Sequence, residues 1–128
     1  MSSALYLSYT DAPAGIAWLE HLGFRTVARQ DDADGGVVHS ELVRDGVVLM
    51  VATADADYGR LPVRGISVGQ GLYLVSDDVD ALAARAVEAG GTLLVAPEDT
   101  GWGSRRARVL DPEGHEWSFG TYAPGAEA

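Results

Sequence analysis

The chain has 128 residues, 47% of them apolar and 22% charged, which suits one domain, residues 1–128, and leaves too little for two independent ones. It contains no Cys, Lys or Asn, so a cysteine nucleophile, a thiolate metal site, a disulfide framework and a lysine Schiff base are all excluded. A net charge of -10 without a basic stripe argues against nucleic acid or an anionic membrane as partner, and favours solubility or a cationic ligand. No apolar run approaches the ~18 residues of a membrane span, and the start "MSSALYLSYTD" lacks the basic and apolar regions of a signal peptide, so a cytoplasmic location is expected.

The first predicted element is an alternating strand, "LYLSYTD" at 5–11, ending at Asp11 as a helix N-cap. A helix over about 12–22 follows, with Pro13 in its first turn, Ile16, Leu19 and Leu22 on one face, and Gly23 as a left-handed stop. Three strand-like stretches come next, "FRTVARQ", "GVVHSELVRD" and "GVVLMVAT", the last two joined by the two-residue hairpin signal Asp45-Gly46. Residues 55–70 read as a linker between a module at 1–54 and a second at 71–122.

The second module repeats the first. "LYLVSDD" at 72–78 lies at an offset of 67 from "LYLSYTD", which carries Asp11 onto Asp78 and Gly23 onto Gly90. Its helix, about 79–89, puts Val79, Leu82, Ala83 and Ala86 on one face; "TLLVAP", "SRRARVLD" and "HEWSFGTY" are its strands, with a type I turn at Asp111-Pro112-Glu113-Gly114. The predicted class is α+β, two tandem βαβββ modules.

Two such modules, closed by "DPEGHEWSFG" and containing "VVHSEL" and "GWGSRRARVLDPEG", resemble the glyoxalase, bleomycin-resistance and extradiol dioxygenase group, the vicinal oxygen chelate superfamily. The resemblance implies a curved, half-open barrel of mixed β-sheet with helices outside and a concave cleft, and it implies a homodimer.

Alternation assigns one face of every strand to the helices and the other to that cleft. Leu5, Leu7, Val47, Leu49, Val51, Leu72, Leu74, Trp117 and Phe119 fall on the helix side; Ala4, Tyr6, Ser8, Val48, Met50, Ala52, Gly71, Tyr73, Glu116, Ser118 and Gly120 fall on the other. The Asp45-Gly46 hairpin sets Glu41 opposite Met50 and His39 opposite Ala52, which brings both polar side chains to the cleft. Ala107 and Val109 look buried, which sends Arg106 and Arg108 the other way, and Trp102 sits in the Gly-rich loop before them as a possible ring cover. His21, at a helix C-terminus, carries no expected role.

The resemblance places metal ligands on the first and last strands of each module, and the equivalent positions here are Ala4, Met50, Gly71 and Ser118. These offer no hard donor set, so no metal and no cofactor is expected. The first expectation is therefore a metal-free binding protein of the bleomycin-resistance type. It would sequester an aromatic or cationic drug or metabolite with Tyr6, Ser8, His39, Glu41, Met50, Tyr73, Trp102, Arg106, Arg108, Glu116 and Ser118. The alternative is an enzyme of lyase, isomerase or dioxygenase type, working through His39 and Glu41 or through a non-standard metal site, with an arginine stabilising an oxyanion.

Overall fold

The computed structural model describes residues 3–56 and 69–125. The chain divides into two compact units, Met1–Leu61 and Pro62–Ala128, and most of the stretch expected as a linker, 55–70, lies outside the described residues.

The first unit runs β1 (Leu5–Tyr9), α1 (Ala12–His21), β2 (Arg25–Asp31), β3 (Val37–Arg44) and β4 (Val47–Thr53). The second repeats it as β5 (Gly71–Val75), α2 (Val79–Glu88), β6 (Thr92–Asp99), β7 (Arg105–Leu110) and β8 (Glu116–Gly120). The sheets have the same topology, β1-β4-β3-β2 and β5-β8-β7-β6, with the first strand parallel to the last and the other pairs antiparallel. The fold is thus α+β with two tandem βαβββ modules.

The repeated residues do repeated work. Asp11 and Asp78 accept the backbone N–H of Ala14 and Ala81, each at 3.1 Å, and so satisfy donors that the first helical turn leaves without partners. Gly23 and Gly90 take φ of 98° and 113°, the left-handed conformation that turns the chain back toward the sheet. In the first unit this closure includes the Phe24 N–H donating to the Leu19 carbonyl at 3.2 Å. The His21 ring meets the Ala17 carbonyl at 2.7 Å, a capping role at the negative end of α1. Asp45 and Gly46 both have positive φ, 47° and 84°, as a type I′ hairpin requires.

Each helix covers one face of its own sheet. The buried face of α1 is wider than Ile16, Leu19 and Leu22, since Ala12, Gly15 and Trp18 are buried as well, packed over a sheet whose buried side includes Leu42, Leu49 and Val51. Gly15 has a specific reason: a Cβ there would stand 2.9 Å from the ring of buried Tyr9. In the second unit Val79, Leu82, Ala83 and Ala86 of α2 meet a buried layer of Leu74, Ala107, Val109, Trp117 and Phe119. Arg105 ties the exposed rim of that layer by donating to both carboxylate oxygens of Asp80 at 2.6 and 3.0 Å and to Asp99 at 3.0 Å. The bonds from Arg105 hold the Asp80 carboxyl below the usual carboxylate range.

The turn before β8 is built around one buried carboxylate. Asp111 accepts the backbone N–H of Glu113 at 3.0 Å and of His115 at 2.9 Å, meets the His115 ring at 2.9 Å, and accepts the Trp117 indole N–H at 3.3 Å. Its backbone adds the Gly114 N–H to Asp111 carbonyl bond at 3.0 Å and the Asp111 N–H to His115 carbonyl bond at 2.9 Å. The side chain of Asp111 is fully buried. Asp111→Ala would leave several of these donors without a partner where water does not easily replace it, at about 1–3 kcal/mol each. Urea unfolding should show a loss of about 3 kcal/mol; a loss below about 1 kcal/mol would mean the carboxylate is incidental to the turn.

Candidate functional site

The open face of the second sheet carries a cavity of about 190 Å³. Its floor follows from strand register. Tyr73 pairs with Ser118 and Ser118 with Arg108, so these three stand in one row across β5, β8 and β7; Val75, Gly120 and Arg106 form the next row but one, on the same face. Arg106 and Arg108 therefore stand on the side away from α2, while Ala107 and Val109, between and beyond them, are buried beneath it.

Glycine makes room for one wall. A Cβ on Gly120 would collide with the phenol end of Tyr73, so only the bare backbone lets that ring lie across β8. The Tyr73 hydroxyl then donates to the Tyr122 carbonyl at 2.8 Å, and both residues line the cavity. The opposite wall comes from the β6–β7 loop. The Thr100 N–H donates to the Ser104 carbonyl at 2.8 Å, the two hydroxyls meet at 2.8 Å, and the Ser104 N–H returns to Thr100 Oγ1 at 3.2 Å. This knot closes the five-residue segment Thr100–Ser104 and presents Trp102 at its tip, lining the cavity and yet 71% exposed.

The two arginines differ. Arg106 is engaged, with Nε and Nη2 both 2.9 Å from Oε1 of Glu98. Arg108 is held more loosely: Oε2 of Glu116 is 4.0 Å from Nε, an ion-pair distance beyond hydrogen-bond reach, and that buried Nε has no hydrogen-bond partner among the described residues. Glu116 lies on the same open face, opposite Gly71 and Leu110, but does not line the cavity.

The first unit gathers the other expected residues. Tyr6, Met50 and Glu41 form one row across β1, β4 and β3, with Ser8 and Ala52 paired in the next row but one. His39 lies beyond the β3–β4 ladder, which ends at Glu41 and Met50, and pairs on its other side with Gln30. Its Nε2 is 2.6 Å from Oε2 of Glu41, with both side chains more than two-fifths exposed. Such a pair can take up and hand on a proton. Sequence reasoning missed Val95, Thr100, Ser104 and Tyr122 in the cavity of the second unit, and gave Ala107 and Phe119, which are buried yet also line it, to the helix side alone. The paired hydroxyls flanking Gly-Trp-Gly were the available signal for the loop; Tyr122 gave none.

The positions at which metal-dependent relatives would hold their ion do not fit one here. In the second unit, a Cβ on Gly71 would sit 2.9 Å from the backbone oxygen of Glu116, so the position has no space for a ligating side chain. Ser118 offers a single hydroxyl beside the cationic Arg108. In the first unit the positions hold Ala4 and the thioether of Met50. Among the described residues no three His, Asp or Glu side chains come together in a metal-holding group.

The family model of the Glyoxalase/Bleomycin resistance protein/Dioxygenase superfamily matches residues 4–119, and the chain belongs to that superfamily. The crystal structure of TioX from Micromonospora sp. ML1 is similar at 30% identity and a TM-score of 0.74, over 96% of this chain and 99% of that one. A glyoxalase family protein of Bacillus cereus shares the fold at 14% identity and a TM-score of 0.72, over 94% and 91% of the two chains. An uncharacterized protein of Mycobacterium bovis is 32% identical over 105 residues, which cover 73% of this chain. The match spans 64% of that relative and 58% of its Mycobacterium tuberculosis counterpart.

Among the described residues no helix is long and apolar enough to cross a membrane.

Burial raises the Tyr73 phenol above its ordinary value. A raised folded value means that the stabilisation from protonated Tyr73 is complete below about pH 10 and is lost as pH rises through the folded pKa. Absorbance titration of phenolate should show a late-ionising tyrosine that Tyr73→Phe removes and that Gly120→Ala shifts back toward the ordinary value. An unchanged late component in Gly120→Ala would contradict the seating of the ring on Gly120.

Proposed function

We propose that this protein binds a small aromatic molecule on the open face of its second sheet and holds it without chemical change and without a metal. The observation that carries this reading is Trp102, an indole held 71% exposed over a cavity by a hydrogen-bonded loop. An exposed tryptophan gains about 0.5–1.5 kcal/mol from stacking beyond simple burial, so its place on a cavity wall favours a planar ligand. A volume of about 190 Å³ takes one or two rings, below the roughly 300–1,000 Å³ typical of drug-sized sites, so a larger drug or metabolite would insert one aromatic group and extend outward.

Holding a ligand stabilises the folded state by mass action, about 2.7 kcal/mol at a hundredfold excess over Kd. A thermal-shift screen of aromatic metabolites and natural-product antibiotics should yield a saturable hit that is recovered with unchanged mass, that does not require added divalent metal, and that Trp102→Ala weakens about tenfold. Conversion of the hit by dialysed protein would overturn simple sequestration.

The His39–Glu41 pair, at 2.6 Å on the open face of the first sheet, favours a second reading, catalysis by a histidine base that the carboxylate orients. On that reading His39→Gln lowers turnover by orders of magnitude at little change in affinity; for a binder the same substitution alters affinity modestly and there is no turnover to lose.

A further inference from the structure

We infer that the aromatic group held by the second unit bears an anionic or strongly accepting oxygen group, a carboxylate in the simplest case, and that Arg108 is the residue that recognises it. This rests on the binding reading above and adds the charge class of the ligand.

Among the described residues, the charged side chains lining the cavity are both arginines and no aspartate or glutamate lines it. Arg106 is already satisfied by Glu98 at 2.9 Å. Arg108 has the nearest acid, Glu116, at 4.0 Å from Nε, close enough to steady the guanidinium and too far to accept from it. A guanidinium offers five N–H donors in a flat fork, and here Nε is buried with no acceptor among the described residues. Nε is shut off from solvent, so a ligand acceptor would meet the guanidinium where the side chain, 22% exposed, opens to the cavity.

Geometry narrows the acceptor. Arg108 and Ser118 are cross-strand partners on the open face, so a carboxylate can take two parallel N–H donors from the fork and a third bond from the hydroxyl. Tyr73, on the far side of Ser118, and Trp102 then flank the ring that carries the carboxylate. An ammonium in the same place would face two guanidinium groups and, among the described residues, no lining acid. The overall charge of -10 alone suggests a cationic ligand, but the acids beside the two arginines, Glu98 and Glu116, pair with them and are not among the lining residues.

Three probes of equal ring size separate the possibilities: 2-naphthoate, 2-naphthamide and 2-naphthylmethylammonium, titrated calorimetrically into the full chain. The carboxylate should bind at least about tenfold tighter than the ammonium, with the neutral amide between. Arg108→Gln should remove about tenfold or more of the carboxylate's affinity while changing the amide by no more than about threefold. Arg108→Lys, which keeps the charge and loses the fork, should recover only part of it. Melting curves followed by circular dichroism establish that each variant is folded, and the probe series on the unaltered protein stands if Arg108→Gln is not. Binding of the amide with no preference for the carboxylate, or an equal loss for all three probes in Arg108→Gln, overturns the charge inference and leaves the aromatic site standing. Failure of all three to bind at millimolar concentration overturns both.

Discussion

The Asp111 carboxylate decides which side of β8 faces the cavity. By tying the backbone of Glu113 and His115 and the indole of Trp117 to one buried group, it fixes where β8 begins relative to β7. The register that follows pairs Leu110 with Glu116, Arg108 with Ser118 and Arg106 with Gly120. Side chains alternate along a strand, so a slip of one residue would exchange the two faces completely. The Trp117 indole would then be turned to the open face, and Ser118 and Glu116 would be driven against α2. A turn outside the site thus sets the polarity of the site, and the Trp117 indole N–H, held by the same carboxylate, locks the core and the turn in a single step.

The two modules share this scaffold and use its open face differently. In the first, a tyrosine ring lies beneath the helix, where Tyr9 sits against Gly15, and the exposed side of the sheet carries the His39–Glu41 pair. In the second, the ring on glycine is on the other side, with Tyr73 across Gly120, and it becomes a wall of the cavity. The interior glycine in α1 carries about 1 kcal/mol of helix propensity penalty relative to alanine, which the packing of a buried aromatic offsets. Duplicated topology therefore constrains where side chains point and leaves their chemistry free to diverge.

Most of this architecture was legible in the sequence because it rests on local rules. The caps at Asp11 and Asp78, the left-handed glycines, the Asp45-Gly46 hairpin and the two-faced alternation each depend on a few neighbouring residues. The positions of Arg106 and Arg108 followed from the apolar Ala107 and Val109 between them. Trp18 and Tyr9 were missed as core because an indole or phenol can serve either a surface or an interior, and only tertiary packing decides. The walls of the cavity were less legible still: Thr100 and Ser104 meet through a loop knot, and Tyr122 joins through its carbonyl as well as its ring. Net charge was the weakest guide, since a sum over the chain does not say which charges a fold brings to one place.

The proposed site also bears on how oxygen groups could be recognised on this fold without a metal. A divalent ion polarises paired oxygens because it concentrates positive charge at one point, and it needs several hard donors to hold it there. At the corresponding positions of the second unit, Gly71 is closed by the backbone of Glu116 and Ser118 supplies one hydroxyl, so that donor set cannot be assembled. Arg108, one strand over from Ser118, supplies positive charge of another kind, spread over a planar fork and fixed to the sheet by covalent attachment. Such a cation suits a carboxylate's two oxygens in geometry but is a far weaker Lewis acid, so it holds and orients an oxygen group without activating it strongly. That difference is the physical argument by which the proposed site favours retaining a ligand over transforming one.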